Sequence, residues 1–156
     1  MEMKKMICFD MDGVLAGLYD VDNWLEDLRN ENTRPYEIAE PLVDMVMLKV
    51  VLNELKKVGY RIAVISWLAK DATREYDNAV REAKRNWLAE YEFPYDEVHL
   101  VRYGTTKANA VRYKTTNAIL IDDNEKIRKG WKLGETIDGS KNFLQILEKM
   151  LDEMGE

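Results

Sequence analysis

Four aspartates, a serine and a lysine carry the chemistry legible in this chain. Asp10-Met11-Asp12-Gly13 follows one short apolar run, Ser66 closes a second, Lys107 lies a few residues past a third, and Asp122-Asp123 follows a fourth. Four carboxylates gathered in one place repel each other, and some take up protons unless a cation relieves the crowding. A hard divalent ion with oxygen ligands does so, and Mg²⁺ is the usual choice where phosphate is also bound. Mg²⁺ would also hold a phosphate and spread its charge in the transition state. Lys107 would add a fixed positive charge, and Ser66 a hydroxyl donor for a non-bridging oxygen. Such a set suits phosphoryl transfer, where positioning and charge neutralisation do most of the work. Asp10 is the residue to attack phosphorus, splitting hydrolysis into two steps. Asp12, two residues on, is the residue to protonate the leaving oxygen and later take a proton from the attacking water. Gly13 would let the chain turn sharply and bring backbone N–H groups near the phosphate. Trp67 directly follows Ser66 and either lines the pocket against a substrate ring or serves ordinary packing.

These groups meet only if their elements share an edge. The runs Lys5 to Phe9, Arg61 to Ile65, Glu97 to Val101 and Ala118 to Ile121 have strand length, and Glu135 to Ile137 is a short fifth. They are near-continuously apolar rather than alternating, as strands buried on both faces are. Helical patterns fill the gaps. Pro41 suits a first turn before apolar positions from Leu42 to Leu55, with Gly59 as the stop. From an Asp71 cap, Ala72, Tyr76, Ala79, Ala83, Trp87 and Tyr91 form one stripe. Thr105 or Thr106 would cap a helix through Tyr113, and Ser140 a last helix to about Met154. Alternating strands and helices predict right-handed βαβ units and an α/β three-layer sandwich around a parallel sheet of about five strands. The carboxyl ends of parallel strands form one edge, where ligands bind. The stretch 16–40, rich in aromatics and acids, breaks the rhythm and reads as a small insertion with a short helix at Asn23 to Leu28.

Composition fits one compact domain over 1–156. The chain is 46% hydrophobic and 33% charged, with a net charge of -6, which disfavours stable coating of nucleic acid through a basic surface. The basic clusters Lys84-Arg85 and Lys126 to Lys132 read as solvated helix faces. No apolar run approaches the roughly 20 residues of a membrane span, and the run after the opening residues 1–5 is too short for a signal peptide. A lone cysteine, Cys8, forms no internal disulfide, so a cytoplasmic setting is expected. Cys8 reads as a small buried hydrophobe, and His99, inside a strand, as a structural histidine. Lys114 competes with Lys107, which is favoured for its place at a helix start. Tyr19, Trp24 and Tyr36 could stack on a nucleobase, although the aromatic core of the insertion is the commoner explanation.

FDMDGVLA resembles the first motif of the haloacid dehalogenase superfamily of phosphatases, an apolar strand followed by DxDG and Thr or Val. IAVIS is similar to its second motif, Lys107 to its third-motif lysine, and ILIDDN to its acidic fourth motif. The ordered set spans Met6 to about Leu133. The resemblance implies a phosphomonoester hydrolase with Mg²⁺ held by the Asp10 side chain, the Asp12 backbone carbonyl and one fourth-motif acid, Asp123 by preference with Asp122 in support. Only 56 positions separate Asp10 from Ser66, which matches small-cap members, whose open sites take bulky phosphorylated substrates or are closed by oligomerisation. IDDNEKIRKGW also resembles the fourth-motif region of polynucleotide 3′-phosphatase domains and 5′(3′)-deoxyribonucleotidases. Asn124 stands where those groups often carry arginine. The implied partner is a small phosphorylated substrate, with a nucleotide or polynucleotide end favoured.

Two other classes compete. A receiver domain gathers similar groups, but its acidic pair comes on the first strand, whereas here it comes last. No GxxxxGK[ST] is present for a P-loop hydrolase. A non-catalytic phosphate- or partner-binding protein on the same fold is the alternative of a different class, and turnover of phosphate esters separates the two.

Overall fold

The computed structural model describes residues 5 to 155; residues 1–4, at the start of the opening segment, and residue 156 lie outside it. Five strands, β1 (Lys5–Phe9), β2 (Tyr60–Trp67), β3 (Glu97–Val101), β4 (Ala118–Asp122) and β5 (Thr136–Asp138), form one all-parallel sheet in the order β3-β2-β1-β4-β5. The apolar runs are continuous because alternate residues serve opposite, equally buried faces. Ile7, Phe9, Ile62, Val64, Ile119 and Ile121 enter one core. Met6, Cys8, Ala63, Ile65, Ala118 and Leu120 enter the other. The sheet is thus the middle layer of an α/β sandwich, as its strand pattern predicts.

Helices cover both faces. Helices α1 (Trp24–Arg29) and α2 (Arg34–Ile38) lie in the segment after β1, together with a 3-10 turn at Leu18–Asp20. Helix α3 (Met45–Lys57) starts at Asp44, whose side chain accepts from Met47 N–H, and buries Leu48, Val51, Leu52 and Leu55. Such a cap is worth about 1 kcal/mol, so it places the start at Asp44 rather than Pro41. Gly59, at φ +108, supplies the expected stop. Helix α4 (Arg74–Glu90) is capped by Thr73, which accepts from Tyr76 N–H. Asp71, the expected cap, instead sits at φ +53 in the preceding loop. The expected helix through Tyr113 is only a 3-10 turn at Lys107–Ala110, and Thr106 offers no side-chain cap bond. Helix α5 (Glu125–Gly130) starts from Asn124. Helix α6 (Phe143–Met154) starts from Asn142, not Ser140, since the Asn142 side chain accepts from Gln145 N–H. Among the described residues, no helix is long and apolar enough to cross a membrane.

The chain runs outward from β1 through β2 to β3, then returns to place β4 on the other side of β1. The strand order therefore reverses beside β1, and open α/β sheets bind ligands in the crevice at such a point. Asp10 and Asp12 follow β1, while Asp122 closes β4 and Asp123 follows it. The topology brings residues more than a hundred positions apart to one crevice.

A second polar cluster lies at the start of β3. Glu97 accepts from Arg61 Nε at 2.7 Å and Lys114 Nζ at 3.2 Å, with His99 Nε2 2.7 Å away. Lys114 is therefore committed here, away from the crevice. Burial pushes the Glu97 carboxyl up, but the hydrogen bonds from His99, Arg61 and Lys114 outweigh it and hold it at about 2. A depressed carboxyl stabilises the fold above its unfolded value of 4.5, and that stability is lost as pH falls from there towards about 2. Glu97→Gln is therefore expected to melt lower than wild type at neutral pH and to converge with it near pH 2, as thermal melts across that window would read.

Candidate active site

The turn after β1 is closed on Met11, whose carbonyl accepts from the N–H groups of Val14, Leu15 and Ala16. Gly13 takes φ +84, and its N–H donates to the Ala16 carbonyl at 2.8 Å. A β-carbon here would collide with Asp123 Oδ2 and lie 3.0 Å from the Tyr19 ring. Glycine is thus required both by the backbone and by the approach of the acidic pair. Among the described residues, the N–H groups of Met11 and Asp12 donate to no backbone carbonyl.

Lys107 enters from the 3-10 turn after β3 and is almost fully buried. Its Nζ donates to Asp10 Oδ1 at 2.9 Å and to Asp122 Oδ2 at 2.7 Å. Burial pushes this ammonium down, but the charges of Asp10 and Asp122 and their hydrogen bonds outweigh it and raise it above its ordinary value. Asp122 is completely buried, and its other oxygen accepts from Asn124 N–H at 2.9 Å. Arg128 Nη1 donates to the Asp122 carbonyl at 2.9 Å. The strand end carrying the acidic pair is thereby anchored from α5.

Asp10, Asp122 and Asp123 each turn one carboxylate oxygen into a common space, all within 4.8 Å of one another. At that separation each pair of charges repels by about 3 kcal/mol for an effective dielectric of about 20. Burial raises the Asp10 carboxyl to about 8. Lys107 pulls against this, and Asp122 and Asp12 add to it. Burial also raises the Asp123 carboxyl, as does Asp122, while contact with Asp10 and Lys107 pulls it back. An all-oxygen set this close, whose members resist ionising together, fits a hard divalent cation.

Asp12 has a different partner. Lys84 Nζ donates to Asp12 Oδ2 at 2.8 Å, to Ser66 Oγ at 2.7 Å and to the Trp67 carbonyl at 2.8 Å. Lys84 is 0% exposed, which corrects its reading as part of a solvated basic face. The cause is its place on α4, on the same side as the buried Tyr76, Val80, Trp87 and Leu88. Its neighbour Arg85 is exposed. Those helical steps of four and three residues are the signal that could have found it. Ser66 is also fully buried, with its oxygen taken up by Lys84.

Above these groups opens a cleft of about 860 Å³. Asp10, Asp12, Lys107, Asp122 and Asp123 line it, whereas Ser66 and Gly13 do not. Tyr19 and Trp24 reach it from the 16–40 segment, in edge-to-face contact at 4.9 Å. Trp67 and Tyr103 reach it too, with ring centres 4.9 Å apart. Trp67 Nε1 donates to the Thr105 carbonyl at 2.8 Å, which fixes the indole. Tyr36 also lines the cleft but is buried, so the insertion's aromatics divide between core and wall. Arg29 and Lys70 line the cleft as well, and nothing in their local sequence marks them out.

A five-stranded parallel sheet flanked by helices, with an acidic cluster at the carboxyl edge of its central strands, defines a Rossmann-like α/β fold. No protein-family model matches the chain, and no curated protein does. Among solved structures it is similar to the D,D-heptose 1,7-bisphosphate phosphatase from Burkholderia thailandensis. The identity is 13% and the TM-score 0.54, over 98% of this chain and 100% of that one. At this identity the likeness is one of fold.

Proposed function

We propose that the chain is a Mg²⁺-dependent phosphomonoester hydrolase working through an aspartyl-phosphate on Asp10. The observation that carries this reading is the convergence of Asp10, Asp122 and Asp123 on one space, with Lys107 bridging Asp10 and Asp122. With all four aspartates ionised, two buried lysines would leave two negative charges uncompensated, the charge of one divalent ion. Mg²⁺, bound by the Asp10 side chain, the Asp12 backbone carbonyl and Asp123, would supply charge neutralisation to the phosphate. Asp123 is preferred over Asp122 as the direct ligand because both Asp122 oxygens already accept hydrogen bonds, from Lys107 and Asn124. Lys107 holds the Asp10 carboxylate facing the cleft.

In the first step an Asp10 oxygen bonds to phosphorus as the ester P–O bond breaks, and Asp12 gives its proton to the departing oxygen. In the second, Asp12 takes a proton from water as that water displaces Asp10 from phosphorus and releases inorganic phosphate. The Met11 and Asp12 N–H groups, which among the described residues donate to no backbone carbonyl, are available to the phosphate oxygens. Ser66 contributes through Lys84, from which it accepts. The 16–40 segment acts as a small cap. Its Tyr19 and Trp24, with Trp67 and Tyr103, favour an ester carrying a ring, such as a nucleotide or a polynucleotide end. The fold relative is named as a sugar bisphosphate phosphatase, which supports monoester hydrolysis without favouring the nucleotide.

Phosphate release by the purified protein with Mg²⁺ tests this reading on an aryl phosphate, nucleoside monophosphates and sugar phosphates. Release from the aryl phosphate is expected, with nucleotides faster than sugar phosphates. Release from none of them overturns the proposal, and equal rates on nucleotides and sugar phosphates remove its substrate part. Gly13→Ala offers a subtler check. Its positive φ puts a strain of about 1–3 kcal/mol on the fold. Its methyl group displaces Asp123, a shift of a kind that costs about 100-fold in rate. Melting and turnover of the same sample would show activity falling far more than stability.

A further inference from the structure

We infer that Lys84 is a positioning residue for proton transfer, holding the Asp12 carboxylate where it meets the leaving oxygen; this rests on the reading of Asp12 as general acid. A fully buried ammonium is costly to desolvate, and its pairing rarely recovers more than that cost, so stability alone does not account for it. All three of its protons are used. Two go to fixed acceptors at the carboxyl end of β2, Ser66 Oγ at 2.7 Å and the Trp67 carbonyl at 2.8 Å. The third goes to Asp12 Oδ2 at 2.8 Å. The Tyr36 ring, 5.1 Å from Nζ, closes the remaining side. Lys84 is thus a strut between the rigid sheet edge and one oxygen of Asp12, which itself lines the cleft. The other Asp12 oxygen is left for the proton that moves. Lys107 makes no hydrogen bond to Asp12, so the two lysines divide the aspartates between them, one serving the nucleophile and the other the acid.

The test uses the leaving group. A poor leaving group, such as the alkoxide of an alkyl phosphate, needs a proton in the transition state, whereas 4-nitrophenolate departs without one. The quantity to measure is kcat/KM, which reports steps up to formation of the phosphoenzyme and not its later hydrolysis. Lys84→Met and Lys84→Gln are expected to lower kcat/KM on an alkyl phosphate by about 100-fold or more, the scale of general-acid catalysis, and on 4-nitrophenyl phosphate by less than about fivefold. Asp12→Asn should show the same split. Equal losses on the two esters would overturn the inference, because a residue that merely supports the fold does not distinguish leaving groups. Failure of both variants to fold would assign the ammonium to the scaffold and overturn it as well. Wild-type protein inert on both esters would instead remove the phosphatase reading, so the two failures are distinguishable.

Discussion

Asp10→Asn is expected to lower turnover of every phosphate ester by about 10⁴-fold or more, the scale on which loss of a nucleophile is felt, while leaving the protein folded. An amide oxygen has neither the charge to attack phosphorus nor an acyl-phosphate product to form. Mixing wild type with a labelled ester and quenching in acid should trap label on the protein, and the variant should trap none. Folding should survive because of how Asp10 is held. Burial raises its carboxyl to about 8, so without a divalent ion its charge is disfavoured, and an uncharged amide of the same shape suits the site. The sign follows from linkage. A carboxyl raised in the folded state contributes stability below its unfolded value of 3.8 and loses it as pH rises towards about 8. Metal-free wild type should therefore fall in melting temperature relative to Asp10→Asn across that window. Equal activity in the two proteins would remove Asp10 from the chemistry altogether.

The contrast between the two lysines shows what the sequence makes legible. Lys107 was accessible because it follows a strand end, and parallel topology sends strand ends to one edge. The four apolar runs were equally plain, since strands buried on both faces leave little room for polar residues between Met6 and Phe9 or between Ala118 and Ile121. Lys84 was not legible as chemistry, because lysine on a helix is ordinarily solvated. Its partners lie 72 and 18 positions away, and only the packing of α4 against α2 and Leu68 turns it inward. The caps fall a few residues from where residue type alone puts them, for the same reason. Asp71 and Ser140 are good cap residues by type, but Thr73 and Asn142 are the ones whose side chains reach the free N–H groups. The short helix α2, with Pro35 in its first turn, is too brief for periodicity to mark it.

Mg²⁺ should raise the melting temperature and its removal by a chelator should abolish turnover. A ligand that binds only the folded state adds about 2.7 kcal/mol at a hundredfold excess over its dissociation constant, and for a chain of this size that is on the order of 5–10 °C. The rise should be larger at pH 8 than at pH 5, because protons compete for the same raised carboxyls. The acidic pair should separate by variant. Asp123→Asn removes a ligand and should weaken Mg²⁺ binding by about 100-fold or more, with little change in the metal-free melt, since Asp123 is only half buried. Asp122→Asn should act the other way. It takes from the buried Lys107 one of the two carboxyl groups that hold it, and an amide must then face an ammonium at 2.7 Å. The metal-free protein should melt lower by the few kcal/mol that breaking a buried ion pair costs, about 3–5 kcal/mol at most. If Asp122→Asn instead lost Mg²⁺ affinity with an unchanged metal-free melt, the ligand assignment within the pair would have to be reversed. If millimolar Mg²⁺ moved neither the melt nor the turnover of wild type, the three carboxylates would have no cation to explain their proximity, and the charge balance on which the catalytic reading depends would fail.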